Sequence, residues 1–360
     1  MNSKERVRMA IEHREPDRVP LDYYSRPEIT KKCMDTLGTE TEEELLQKLG
    51  IDQRRIAPVF KGEEAPLRYA DPTVSVTEEG IYKDIWGVGF SANDTGSGFY
   101  MDLAENPLSG ITSAVELDKH TWPDPDMWDY SSAAAQAESH SDYWVWTHSR
   151  GIFEISWFLR GFDNFMVDLM VNPELANALM DRAQDYLFEK ARRILETADG
   201  SIDMMEYNDD IGSQEGILIN PDTWRIMLKP RMAVFIDMCK QFGVKVRYHS
   251  CGGYTEIIPD LIEIGLDVLN PVQTRAKGMD PQTLAREFGD QLTFSGGIDT
   301  QELLPFASPE EVKAEARMLI DVLGKDGGFI LGPSHKFQAD VPVENVLAMY
   351  EAGGAAMPRQ

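Results

Sequence analysis

The strongest constraint on this chain is a rhythm. From about residue 143 to the C-terminus, short β-branched or aromatic runs alternate with longer amphipathic ones. The β-like runs fall at 143–148, 202–207, 244–249, 267–270, 291–295 and 328–331. Helical text between them opens on strong start signals, Asn172-Pro173, Asn220-Pro221 and Ser308-Pro309. Each pairs a capping side chain with a proline whose fixed φ suits the first helical turn. With a first strand at 18–24, strand and helix alternate over about eight units, the signature of a parallel α/β fold. No Gly-x-Gly-x-x-Gly follows that first strand, and polar residues recur at the ends of many strands rather than at one switch point. The sequence therefore predicts a (β/α)8 TIM-type barrel, whose strand ends converge on one mouth.

The N-terminal part is expected to decorate that barrel with helical and hairpin/lid additions. Residues 3–13 read as an amphipathic helix, and 41–49 as a second, capped by Thr41 with Glu44 three residues on. Between 56 and 102 the text is irregular, with β-like runs at 73–76 and 81–86 and a Gly-rich stretch at 91–98. This reads as a small hairpin or lid, and residues 118–130 as a Pro-punctuated linker. The 360 residues are expected to form a single barrel domain. Its 1–130 portion supplies helices, first strand and lid, and 131–360 the main run of βα units.

Charge narrows the function. With 35 Lys+Arg against 61 Asp+Glu the formal charge is -26, which argues against nucleic acid, since phosphate contacts need a basic face. It also argues against anionic membranes. Three cysteines make no disulfide framework. The opening residues lack the apolar core of a signal peptide, and no run of 18 apolar residues is present. A reducing, cytoplasmic location is expected.

The chemistry should sit at the strand ends. In KVRYHSCGGY (245–254), His249 and Cys251 lie two apart, so an extended strand aims both at one point. Gly252 and Gly253 then let the chain turn away. Zinc prefers such a nitrogen–sulfur mixture, although a buried histidine beside a buried cysteine is also ordinary packing. The other polar strand ends are 208–210, Asn270, Asp299 and 334–335. A catalytic zinc takes three protein ligands and keeps a fourth place open; His249, Cys251 and His335 would fill that role. His335 could equally bond within the mouth or bind a substrate carboxylate. Asp209 and Asp210 are candidate catalytic carboxylates or acceptors for loop amides, and Asp299 a turn cap. Glu154 is a catalytic candidate, either a further metal contact or the partner of Arg160. Cys33 and Cys239 sit in helical text and should pack as small apolar groups.

Several segments carry a resemblance: SKERVRMAIEHREPDRVP (3–20), GIFEISWFLRGFDNFMVDL (151–169), YHSCGGYTEIIPDLIEIGLDVLNP (248–271), FSGGIDTQELLPFASPEEV (294–312) and the closing Pro342-x-x-Asn345-Val346-Leu347. Over nearly its whole length the chain resembles the uroporphyrinogen decarboxylase superfamily, which implies a distorted (β/α)8 barrel. True decarboxylases of that superfamily carry an arginine-rich R-Q-A-G-R segment after the first strand; here residues 22–32 read DYYSRPEITKK, with Arg26 alone. Their F-S-D-I segment is RRIAPVFKG here (54–62), and a tyrosine of their second motif falls near Trp157 or Phe158. The zinc-dependent methyltransferase branch, which works with a corrinoid protein, carries H-x-C-G and a third ligand, usually cysteine where this chain has histidine, seven residues before the proline of P-x-E-N. This chain is similar in having His249-Ser250-Cys251-Gly252, with His335 seven residues before Pro342.

The resemblance thus implies a zinc-dependent transfer of a methyl group between a small methylated substrate, of methoxy or methylamine type, and a corrinoid protein, as in O-demethylation. The cobalamin-binding pattern D-x-H-x-x-G is absent; Asp118, His120 and Pro123 come nearest. The corrinoid would therefore ride on a separate partner. The alternatives are a cofactor-independent decarboxylase using His335 and Asp209 for protons, or a barrel that binds a tetrapyrrole or corrinoid without turnover.

Overall fold

A computed structural model describes residues 1–94 and 99–355. Seven parallel strands form one curled sheet: β1 (Gln53–Arg55), β2 (Trp144–Arg150), β3 (Met204–Asn208), β4 (Lys245–His249), β5 (Val268–Val272), β6 (Thr293–Ile298) and β7 (Phe329–Pro333), neighbours in that order. The alternation read from sequence is therefore real, and the sheet is TIM-barrel-like. It is not the closed eight-stranded barrel expected.

The expected first strand accounts for the difference. It contributes single bridges, Leu21 to Leu331 and Ser25 to Phe337. On its β1 side the Asp52 carboxylate takes the place of a ladder partner. Asp52 Oδ2 accepts from the Leu21 amide at 2.9 Å and from Arg18 at 2.7 Å, while Oδ1 accepts from Arg6 at 2.7 Å. A side chain thus consumes the backbone donor that a continuous ladder needs.

The helices follow their start signals. Pro173–Ala198 is capped by Asn172, whose Oδ1 accepts from the Leu175 amide, and Pro309–Leu323 carries the full Ser308–Glu311 capping box. Thr41 caps Glu42–Lys48 through the Glu44 amide, as expected. The segment 151–169 resolves into two helices, Ile152–Arg160 and Phe162–Val171, and the run after Asn220 breaks at Leu228 into Pro221–Met227 and Lys229–Gln241. Pro230 explains the second break, because it offers no amide to the preceding turn. The hairpin region is larger than expected. It is a four-stranded antiparallel sheet of Thr73–Val76, Ile81–Asp84, Gly89–Asp94 and Phe99–Glu105. The Gly-rich stretch expected at 91–98 falls partly outside the described residues. Residues 130–139, past the expected linker, form the helix Tyr130–Ser139.

Two apolar clusters hold the sheet. The larger lies between strands and helices and includes Cys33 and Cys239, both fully buried as expected. A smaller one of Val7, Ile11, Trp144, Trp146, Met204, Val268 and Ile330 plugs the inside of the curl. Strand alternation then places polar residues above this plug, toward the strand C-termini.

Candidate functional site

The site is built on the tips of β3 and β4. These strands pair in register, with His249 opposite Asn208. Two residues beyond each, Cys251 and Asp210 are again neighbours, and the Cys251 amide donates to Asp210 Oδ1 at 2.7 Å. One ligand atom each from Asp210, His249 and Cys251 lies within 4.8 Å of the others. The turn after Cys251 depends on Gly252. Its φ is +81°, and a Cβ there would stand 2.5 Å from the backbone of Ser213.

The imidazole is fixed from behind. His249 Nδ1 donates to Asn270 Oδ1 at 2.7 Å, and Asn270 Nδ2 donates in turn to Ser295 Oγ at 3.0 Å. The lone pair of the neutral ring therefore sits on Nε2, which faces Cys251 Sγ at 3.9 Å. Burial, followed by the charges of Asp210 and Glu154, pushes the Cys251 thiol well above its ordinary pKa. Among the described residues no cationic side chain pairs with Asp210. Imidazole nitrogen, thiol and carboxylate thus converge without a protein cation, and that donor set fits zinc.

The remaining candidates divide. His335 is not one of the three converging groups, but it lines the inner cavity with His249 and an outer cleft of about 780 Å³ with Cys251. Burial and the neighbouring His249 bring its pKa down to about 4. Asp209 turns to the helix Ile152–Arg160, accepting from the Glu154 amide at 2.7 Å and the Phe153 amide at 3.2 Å. Gly151 makes room for this, since a Cβ there would fall 2.0 Å from the Asp209 side chain. Burial leads in pushing the Asp209 carboxyl up to about 8. Glu154 pairs with Arg150 at 3.0 Å, whereas Arg160 pairs with Asp168 at 2.7 Å. Burial raises the Glu154 carboxyl while Arg150 opposes it. Asp299 caps the turn after β6 through the amides of Gln301, Glu302 and Leu303, as expected.

Sequence reasoning missed Tyr24. Its ring stands edge-on to His249 and His335, with centroids 6.4 and 6.1 Å away. The signal was present: Asp22 and Tyr24 lie two apart on the first strand, and both line the inner cavity.

The family model for uroporphyrinogen decarboxylase (URO-D) matches residues 146–355, more than half of the chain. The chain belongs to the uroporphyrinogen decarboxylase family. The matched stretch runs from within β2 past the last helix and contains all three converging side chains. Among solved structures, a methyltransferase from Methanosarcina mazei shares the fold, with TM-score 0.68 and 19% identity over 98% of each chain. A Listeria monocytogenes chain described as a vitamin-B12-independent methionine synthase is more distant, with TM-score 0.43 and 10% identity over 95% of this chain and 98% of that one. No curated protein matches in sequence. No helix among the described residues is long and apolar enough to cross a membrane.

Proposed function

We propose that this member of the uroporphyrinogen decarboxylase family is a zinc-dependent methyltransferase. It moves a methyl group between a small methylated substrate, of methoxy or methylamine type, and a corrinoid carried by a separate protein. One observation carries the reading, the convergence of Asp210, His249 and Cys251. Shared fold with a methyltransferase is compatible with it.

In this reading Asp210, His249 and Cys251 hold the metal, and zinc bound there supplies Lewis-acid activation of a thiol, oxygen or nitrogen on the small substrate. Asn270 keeps the His249 ring turned so that Nε2 faces the ligand position. His335 stands on the substrate side, shared by the inner cavity and the outer cleft. Glu154, with Arg150, sets the charge behind Asp210, and Asp209 positions the helix that carries Glu154.

Metal analysis of wild type and Cys251→Ser tests this. Wild type purified aerobically without chelator should carry close to one zinc per chain. Cys251→Ser should lose zinc and methyl transfer to a free corrinoid together, with its secondary structure unchanged. A metal content near zero in wild type, or full transfer by Cys251→Ser, overturns the proposal and returns the chain to cofactor-independent decarboxylation.

A further inference from the structure

A second cavity lies where β1 ends before β2. The last pairing of β1 is Arg55 with Trp146, closed by the Ile56 amide donating to the Trp146 carbonyl at 2.9 Å. β2 runs on to Arg150 with only β3 beside it. The resulting notch, about 810 Å³, shares no lining residue with the clefts around His249, Cys251 and His335. Apolar and polar residues share its walls about equally, with Phe60 and Trp128 as the large rings. Thr147 also lines it, fully buried, with a hydroxyl that has no partner among the described residues.

Its charges do not cancel. Arg68 is paired with Glu64 at 3.2 Å, and Asp71 is occupied by Arg150 at 2.9 Å and by the Trp86 indole at 3.0 Å. That leaves Arg55 and Lys190, neither of which has a carboxylate partner among the described residues. Arg55 Nη2 lies 3.0 Å from Nδ1 of His148, a ring that burial and Arg55 itself hold well below its ordinary pKa. Lys190 Nζ sits 3.5 Å over the Trp128 ring. Burial brings the ammonium down to about 8, with Arg150, Arg68 and Arg55 adding to the fall and Asp71 opposing it. Two cations without a carboxylate partner in one hollow of a chain with formal charge -26 are an exception to its overall balance. Arg55 at the exposed rim and the half-buried Lys190 can both take an incoming anion by charge-assisted hydrogen bonds.

We propose that this notch binds a carboxylate on an apolar body, with Arg55 and Lys190 holding the anion and Phe60 and Trp128 flanking the body. A planar guanidinium suits a carboxylate's two oxygens. Small-ligand sites combine apolar walls with placed polar groups, and Phe60 and Trp128 supply the apolar part here. The inference does not depend on methyl transfer or on metal.

Calorimetric titration of the full chain as purified, in low-chloride buffer near neutral pH, tests it with benzoate, benzamide and inorganic phosphate. Benzoate should bind at one site per chain and benzamide should not. Hydrogen bonds to charged groups contribute ~1.5–3 kcal/mol, so Arg55→Gln and Lys190→Gln should each weaken benzoate at least ~10-fold. If Lys190→Gln does not fold, Arg55→Gln at the exposed rim carries the same test. Failure of benzoate to saturate, equal binding of benzamide, tighter binding of phosphate than benzoate, or wild-type affinity in Arg55→Gln overturns the proposal.

Discussion

Arg247 and His249 lie two residues apart on β4 and face the same interior, yet their surroundings are built in opposite ways. Arg247 is 2% exposed and paired with carboxylates: Glu206 Oε2 lies 2.7 Å from Nε, Asp22 Oδ2 lies 3.2 Å from Nη1, and the Trp146 ring lies 3.9 Å below. One cation meets two carboxylates and an aromatic face. The next layer up holds His249, Cys251 and Asp210, whose ligand atoms face one another with no cation among them. The lower layer is closed by its own side chains, and the upper one leaves its donor atoms facing one another. A buried polar group is tolerated only when it is answered, so the contrast separates the part that holds the fold from the candidate site.

The largest expected effect tests the closed layer. Arg247→Met strands Glu206 and Asp22, and breaking a buried pair from one side costs ~3–5 kcal/mol. Urea unfolding should register that loss, and most of it should return when Glu206→Gln and Asp22→Asn are added. A loss below ~1 kcal/mol would mean that the layer is wetter than its geometry indicates. A smaller effect sharpens the open layer. Asn270→Ala frees the His249 ring from its Nδ1 acceptor, and losing such an outer partner typically lowers metal affinity ~10–100-fold. Zinc competition against a chromophoric chelator measures it. Affinity equal to wild type would show that strand geometry alone orients the ring.

Much of this contrast was legible in the chain, for identifiable reasons. The helices announced themselves through local chemistry: Asn172-Pro173 and the Ser308–Glu311 box satisfy amides within their own first turns. His249 and Cys251 were legible because side-chain alternation is local to one strand. Asp210 was visible as a candidate catalytic acid, but its place beside Cys251 depends on the register between β3 and β4. Likewise, the loss of the first strand hinges on Asp52, which lies 31 positions from the Leu21 amide it takes. The expected Glu154–Arg160 pairing spans six residues, which sets the two side chains on different helix faces. Arg150, within one or two turns of Glu154, won, and Arg160 found Asp168. Local patterns fix elements, whereas tertiary partners decide which of several allowed contacts forms.

Asp209 supplies the smallest and most discriminating test, because it stands beside the open layer yet belongs to the closed kind. Both its oxygens serve amides at the start of Ile152–Arg160. Asp209→Ala should cost ~1 kcal/mol, the usual loss for a helix-start acceptor. Asp209→Asn keeps one acceptor and should cost less. The two carboxyl states add a pH dependence. An unfolded aspartate releases its proton near pH ~3.9, whereas burial holds the folded Asp209 carboxyl up to about 8. The folded chain therefore binds the extra proton between those values, so its stabilisation is full below the lower value and is lost as pH rises through the upper one. Wild type should lose stability relative to Asp209→Asn across that window, and unfolding both proteins at several pH values measures the gap. A gap that does not change with pH would mean that the two amides keep Asp209 ionised. The carboxylate would then add its charge to the open layer, and any metal held by Asp210, His249 and Cys251 would sit in a more negative surrounding than the closed reading allows.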